Sequence, residues 1–374
     1  MKDLQKMSPV ELKSCSILAS VYALRMLGMF LILPIFAIYA TNLDSNPTSL
    51  QIGLALGIYG LTQAIFQIPF GMSSDYFGRK KVIYFGLLLF IVGSLIAGYS
   101  TSIEGIILGR SIQGSGAISA VLTALLADIT REEQRTKAMA IIGASSGLTF
   151  ALSLVLSPWL NDIIGVDGMF ILMAILSFIA FLLVYFFIKE PEIRKEKTKT
   201  SADEFLKILK DINLFRMNFG IFVLHATQIS MFMTIPIYLV NQGGINLSDH
   251  WQIYLPVLFF SFLLMIPIII FSEKFNKIKL AFLSAIIILF LAQLIFIIFG
   301  YSLVGIILAL LIYFVGFNFL EASLPSLVSK IAPINKKGLA LGVYNTSQSL
   351  GIFVGGALGG LITKVYGYNA SFIF

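Results

Sequence analysis

The sequence predicts an all-α membrane protein, and three observations carry that prediction. The composition is 58% hydrophobic and only 12% charged, where a soluble surface would need roughly twice that charge. Mean hydropathy is +0.93. Apolar windows of about 20 residues, the length a helix needs to cross the hydrocarbon core, follow one another along nearly the whole of the 374 residues. These runs do not alternate, so each segment must satisfy its backbone hydrogen bonds internally, as helices do and barrel strands do not.

In chain order the expected spans are 14–40, 49–73, 82–99, 103–127, 138–160, 168–188, 214–240, 248–271, 280–300, 303–329 and 338–363. A twelfth is expected to begin near Gly367 and to be truncated at Phe374. The first run follows Lys2, Lys6 and Lys13. It is too long for a signal-peptide core and lacks a clear small-residue cleavage site, so it reads as an uncleaved first helix. Cys15 is the single cysteine, which excludes an intramolecular disulfide and leaves it a packing or lipid-facing residue.

Charge sets the expected orientation. The intervals after the second, fourth, eighth and tenth spans hold Arg79, Lys80 and Lys81; Arg131, Arg135 and Lys137; Lys274, Lys277 and Lys279; and Lys330, Lys336 and Lys337. The long middle interval adds Lys189, Arg194, Lys195, Lys197, Lys199, Lys207 and Lys210. The opposite intervals, 41–47, 100–102, 161–167, 241–247 and 301–302, hold no lysine or arginine, and only Lys364 breaks the pattern. By the positive-inside rule the N-terminus and the middle loop are cytoplasmic. The net charge of +7 is thus a topology signal and no argument for nucleic acid as a partner.

The polar middle interval divides the chain into an N-terminal six-helix half, 1–188, a cytoplasmic linker, 189–213, and a C-terminal half, 214–374. Within the linker Phe205, Leu206, Ile208 and Leu209 alternate with Lys207 and Lys210. That pattern suits either a short amphipathic helix on the membrane surface or a solvated connection. The halves echo each other weakly. The interval from Phe271 to Lys279, with Glu273 and Lys277, stands where Asp75 to Lys81 stands in the first half, but without its glycines. The fifth span (Gly143, Gly147, Pro158) and the eleventh (Gly342, Gly351, Gly355, Gly359) both carry glycines and both follow a basic interval. Two six-helix halves related by an internal repeat are the architecture of many secondary transporters.

The turn between the second and third spans has a mechanical logic. Gly71 lets another helix approach closely, and Gly78 permits a tight turn. Asp75 is a fixed negative charge suited to a helix N-terminus, for which the start of the eleventh span at Lys336, Lys337 and Gly338 is the expected partner. Arg79 is expected to reach Asp128 at the end of the fourth span. Such contacts would latch the halves in one conformation and break in the other.

Gly71, Asp75, Gly78 and Arg79 also match G-x-x-x-D-x-x-G-R-K/R, and the turn resembles the signature loop of the major facilitator superfamily of secondary transporters. On the fourth span Arg110, Gln113, Gly114, Gly116 and Ala117 resemble the R-x-x-Q-G-x-G-A pattern of the same superfamily. The stretch from Gly147 to Pro158 is similar to the glycine–proline signature of its drug:proton antiporter branch, with Ala151 and Ser157 standing where glycines are expected. The run from Asn318 through Glu321 and Pro325 to Lys330, and that from Gly338 through Asn345 and Gln348 to Gly351, resemble the YajR-like group of that branch. That group often has a soluble C-terminal domain, which these 374 residues do not include. The resemblance covers nearly the whole chain. It implies the major facilitator fold, here with its last helix truncated, and a central cavity lined by the first, fourth, seventh and tenth spans.

Read independently, ionisable residues inside spans fall on those same four: Arg25, Arg110, His225 and Glu321. A lipid-facing charge costs roughly 2.5–3.5 kcal/mol on insertion scales, so an intramembrane charge marks a functional position. Glu104 is an expected partner for Arg110. Glu321 is the only carboxylate well inside the second half, and a carboxyl held away from water suits proton binding and release; a structural hydrogen bond to Asn318 or to a neighbouring helix is the other reading. His225 suits either a proton relay or a packing hydrogen bond. Tyr59, Gln63 and Gln67 on the second span share a face, with Gln228, Asn345 and Gln348 as counterparts in the second half, and Gln113 completes the set. The stripe Gly351, Gly355, Gly359 is helix-packing chemistry.

The expected function is proton-coupled efflux of small organic compounds by alternating access, in a bacterial inner membrane. An importer, a uniporter, or a non-transporting sensor on the same scaffold are the other readings. No G-x-x-x-x-G-K-[ST] is present, so the chain carries no P-loop ATPase of its own. The expected partners are a small-molecule substrate, protons and the lipid bilayer. The chain is expected to act as a monomer without cofactor or metal, powered by the proton gradient.

Overall fold

In a computed structural model, which describes residues 7–131, 134–189, 202–275, 277–333 and 336–372, the chain is built of helices, with no strand among the described residues. Expectations that fall on Lys2, Lys6, on the linker bases Arg194, Lys195, Lys197 and Lys199, on the Glu273 side chain or on Phe374 lie outside the described residues.

Helix α1 (Pro9–Phe30) starts from a capping box. Ser8 Oγ accepts from the Glu11 amide, the Glu11 carboxylate accepts from the Ser8 amide, and proline occupies the first turn, where its missing N–H costs nothing. Glu11 is also clamped by Arg131, which donates its backbone N–H, Nε and Nη2 at 2.9, 3.0 and 3.0 Å. The start of α1 is thereby fastened to the loop that follows the fourth span. These bonds, above all the Arg131 side chain, hold the Glu11 carboxyl down at about 2, against an ordinary 4.5.

The first span is not one continuous helix. Pro34 has no N–H to donate, and around it the chain bonds three residues back, Leu33 to Phe30 and Ile35 to Ile32, before α2 (Phe36–Thr41) resumes. Helix α3 (Ser49–Phe77) has a second capping box, Thr48 with Gln51, and ends at Gly78, whose φ of 99° starts α4 (Arg79–Gly98). The fourth span also breaks, into α5 (Ile103–Ser115) and α6 (Ser119–Ile129). Gly116 allows the break to press on α4, since a Cβ there would strike the Gly86 carbonyl.

The fifth and sixth spans form α7 (Arg135–Phe187), which reverses through a non-helical Gly165 at φ 67°. Of the two readings of the linker, its second part is a helix, α8 (Ala202–Lys210), with Ile208 buried, Leu206 and Leu209 exposed, and packing against its neighbours α9 and α13. Asp211 caps α9 (Ile212–Asn241), accepting from Asn213 and Leu214. Then come α10 (Trp251–Lys274), α11 (Ile278–Phe299), α12 (Leu303–Ile331) and α13 (Lys337–Tyr366). Beyond Gly367, where the twelfth span is expected to begin, the described residues form a 3₁₀ turn, Tyr368–Phe372, whose Phe372 stacks on Phe296.

Nine helices among the described residues are long and apolar enough to cross a membrane, and one of them, Lys137–Phe187, has 51 residues, which suffices for two passes. Helix α1, with Glu11, Lys13 and Arg25, is not among the nine. Outward faces are apolar: Phe259, Phe260, Leu263 and Leu264 on α10 and Leu283, Ile287 and Phe290 on α11 are all exposed. So broad an apolar surface suits contact with hydrocarbon.

The tightest packing joins α3 to α13. These helices run antiparallel, and at one end their backbones touch: a Cβ on Gly53 would collide with the Gly356 carbonyl, on Gly57 with Phe353, on Gly60 with the Ser349 carbonyl, and on Gly356 with Gly53. At the other, basic end nothing lies within 4 Å of a Cβ placed on Gly71, Gly338 or Gly342, nor on Gly143 or Gly147 of α7. The α3–α13 seam is closed at the lysine-poor end and open at the lysine-rich end.

Two outcomes follow. Gly356→Val should cost about 1–3 kcal/mol by overpacking, whereas Gly342→Ala should be neutral or stabilising by about 0.5–1 kcal/mol through helix propensity; thermal unfolding in detergent measures both. Glu11→Gln should cost about 1–3 kcal/mol at pH 7 by leaving the Arg131 donors poorly matched. Because the folded carboxyl titrates below its unfolded value, its contribution is complete above pH 4.5 and is lost as pH falls toward about 2. The gap between wild type and variant should therefore close with acidification, in melts recorded from pH 7 down to pH 3.

Candidate functional site

A buried polar cluster, at the position of the expected central chamber, begins where the glycine seam ends. One turn beyond Gly60 on α3 lies Gln63, and next to Ser349 on α13 lies Gln348. On the α1–α6 side the chamber is basic. Arg25, 1% exposed, donates from Nη1 to Ser119 Oγ at 2.5 Å and from Nη2 to Gln63 Oε1 at 3.3 Å. Arg110, also 1% exposed, donates from Nη1 to Gln113 Oε1 at 3.1 Å and from Nε to the Ala55 carbonyl at 3.4 Å. The Tyr59 ring lies near both, its centroid 4.9 Å from the Arg110 guanidinium carbon and 6.0 Å from that of Arg25, a cation–π arrangement.

The expected pairing of Glu104 with Arg110 is not made. Glu104 is exposed and accepts from Gln51 Nε2 at 3.0 Å. Six residues along a helix rotate a side chain by about 240° from its starting face, so the two groups point apart. Gln113 also turns away from the chamber, donating to Ser94 Oγ at 2.7 Å, and serves packing among α4, α5 and α7.

The opposite side is set by α9, α12 and α13. His225 Nδ1 lies 3.3 Å from the Ile221 carbonyl and Nε2 2.8 Å from Gln348 Nε2. Since an amide NH₂ only donates, Nε2 accepts, Nδ1 carries the proton and the ring is neutral. Glu321 Oε2 lies 3.9 Å from the same Nε2, with the carboxyl side chain one-third exposed. It makes no hydrogen bond there. Asn318 is not its partner: Asn318 Nδ2 donates to Ser261 Oγ at 3.0 Å, fastening α12 to α10. Gln228 is buried with both amide atoms unpartnered, and so is Gln67 on α3. Asn345 lies half-buried on α13. Between the sides runs an aromatic wall. Phe30 meets Phe150 edge-on at 5.0 Å, Phe150 lies 6.0 and 5.8 Å from Phe314 and Phe317, and Phe317 lies 5.9 Å from His225.

Sequence reasoning missed three contributors. Ser119 is the first residue after the break in the fourth span, and a hydroxyl following Gly114 and Gly116 was the available signal. Tyr22 lies on α1 one turn from Arg25, on the same face. Tyr344, buried beside Asn345, is within electrostatic reach of Glu321 and Tyr22. An isolated tyrosine in a chain of 14 carries no such signal.

At the basic end Arg79 is the hub. Its Nε lies 2.9 Å from Asp128 Oδ2, and its Nη1 lies 2.5 Å from Asp75 Oδ1 and 2.6 Å from Ser74 Oγ. The Arg79–Asp128 contact read from the sequence is thus formed, while Asp75 closes on Arg79 of its own loop.

Residues 18–356 match the family model of the Major Facilitator Superfamily. The inner membrane transport protein YajR of Escherichia coli (strain K12) is 41% identical over 370 residues, 98% of this chain and 81% of that protein. An uncharacterized transporter of Buchnera aphidicola subsp. Acyrthosiphon pisum (strain APS) is 39% identical over 90% of this chain and 86% of its own length. The fold also matches the solved structure of a bacterial homolog to the human lysosomal transporter Spinster, in an inward-facing and unoccupied conformation. There the TM-score is 0.74 at 16% identity, over 96% of this chain and 82% of that one.

Proposed function

The chain belongs to the Major Facilitator Superfamily and is a multi-pass membrane transporter, and from that premise we propose that it exports small organic compounds in exchange for protons, by alternating access. The observation that carries this reading is the meeting of His225, Gln348 and Glu321 from three helices. A neutral imidazole with its lone pair occupied stands beside a carboxyl with no hydrogen-bond partner. A proton arriving on Glu321 removes a buried charge; one arriving on His225 Nε2 forces the Gln348 amide to turn its oxygen toward the ring and brings an N–H to face the carboxylate. Either event changes which of α9, α12 and α13 hold one another, and α13 also forms the seam with α3.

The conformational half of the cycle rests on the seam. With the basic end taken as cytoplasmic, the present arrangement is inward-facing. In the antiparallel register of the seam, Gly71 stands opposite Gly338. Closing the basic end would bring Asp75 to the start of α13, where a carboxylate meets the positive end of a helix dipole, while Arg79 and Asp128 brace the loop behind it. Opening the far end would separate the Gly53–Gly60 backbone from α13. The protein works in this reading as a monomer in a bacterial inner membrane, with the N-terminal half, linker and C-terminal half acting as two bodies and a tie.

The test is exchange in proteoliposomes under an imposed pH gradient. Glu321→Gln should abolish the pH dependence of exchange, and Asp75→Asn should slow it by about tenfold or more while leaving substrate binding intact, since a lost barrier term of about 1.4 kcal/mol is a tenfold change. Undiminished pH-driven exchange in Glu321→Gln would exclude this coupling site, and uptake with the proton flow would indicate an importer.

A further inference from the structure

The transporter reading leaves its cargo open, and the chamber's charge narrows it. Two guanidiniums, Arg25 and Arg110, are each 1% exposed, and no carboxylate among the described residues lies within ion-pair reach of either. Burying an ion without a counter-ion is costly, and in a bilayer the cost is met by a partner or a function. Their donors are unequally used. Arg110 is held by Gln113, the Ala55 carbonyl and the Tyr59 ring face. Arg25 keeps a buried Nε with no acceptor; the hydroxyl of Tyr59, whose ring centroid lies 6.0 Å from the Arg25 guanidinium carbon, is also buried and unpartnered, as are both amide atoms of Gln67 on α3.

A second feature converges on Arg25. Its Nη1 contacts Ser119, the first residue of α6. That helix of 11 residues begins in mid-span with no side-chain cap. The positive dipole end of α6 therefore lies at the residue that the guanidinium contacts, an arrangement that favours an anion. The acid that opposes these charges, Glu321, sits across the chamber with His225. With Glu321 ionised the three buried charges leave a net positive one, and with it protonated they leave two. A cationic substrate would have to approach two guanidiniums.

We propose that the chamber takes an organic anion: a small amphiphile whose carboxylate, sulfonate or phosphate docks between Arg25, the Tyr59 hydroxyl and the start of α6. Its apolar body lies along the wall of Phe30, Phe150, Phe314 and Phe317, which begins five residues beyond Arg25 on the same helix system. Arg25 is the docking group. Arg110 is a positioning residue that holds the Tyr59 ring, its guanidinium carbon 4.9 Å from the ring centroid. The inference rests on the transporter reading for the existence of a substrate, and on the buried donors alone for its charge.

The experiment is equilibrium binding to the purified full chain in detergent, without any proton gradient, using probes that share one ring system: 1-naphthoate, 1-naphthalenesulfonate, 1-naphthamide and 1-naphthylmethylamine. Calorimetry and ligand-induced Tm shifts at pH 7 should show the two acids binding at least about tenfold more tightly than the amide and the amine, the size expected for a charge-assisted hydrogen bond pair. Arg25→Gln should erase that preference, Arg25→Lys should retain most of it, and Tyr59→Phe, which removes one hydroxyl and keeps the ring, should weaken the acids several-fold and leave the amide unchanged. Equal or tighter binding of the amide or amine, no binding of the acids, or acid binding indifferent to both Arg25→Gln and Tyr59→Phe would overturn the proposal. Since no gradient enters, proton-independent exchange in vesicles would refute the coupling and leave this result standing. Equal binding of all four probes would refute the anion and leave the coupling standing.

Discussion

The central polar groups of this molecule lie beside one close contact, the backbone-to-backbone approach of α3 and α13. Without side chains at Gly53, Gly57, Gly60 and Gly356 the two helices close on each other, and dispersion contacts with backbone carbonyls replace what lipid would otherwise fill. The contact is confined to one end. Where it stops, Gln63 and Gln348 begin the chamber, and beyond that Gly71 and Gly338 face open space. Interdigitated backbones of this kind cannot slide past one another without clashing.

The charged groups take their meaning from this. Buried charge in an apolar bundle is stable only when satisfied, and the two sides of the chamber satisfy it differently. Arg110 is fully engaged in holding a neighbouring ring, and Arg25 partly so. Glu321 and His225 are close without a hydrogen bond between them, a pairing whose energy changes sharply with one proton. By contrast the Glu11–Arg131 clamp is fully satisfied and reads as a fixed fastening between α1 and the loop after α6. The same chemical pair types thus separate into those that fix the scaffold and those left able to respond.

Much of this was legible in the sequence. Long apolar runs gave the spans to within a few residues, because hydrocarbon thickness imposes their length, and the Arg79–Asp128 contact followed from two basic intervals meeting at one face. The interruptions were not legible. Pro34 and the Gly116–Ile118 break remove only a few hydrogen bonds within a run that stays apolar, so hydropathy does not register them, although the second creates the free helix start at Ser119. Glu104 was assigned to Arg110 by proximity along the chain, and helical rotation sends it to Gln51 instead. Asn318 was placed beside Glu321, but its partner Ser261 belongs to a helix some 57 residues away, a pairing that only the packing of α12 on α10 decides.

The most direct test of the account is a distance measurement across the open end. Spin labels at Gly71→Cys and Gly338→Cys, in a Cys15→Ala background, report the separation of α3 and α13 by double electron–electron resonance in nanodiscs. The account predicts two separations whose populations shift between pH 8 and pH 5, and a population frozen against pH in Glu321→Gln. A single separation, or a pH response that survives Glu321→Gln unchanged, would contradict it.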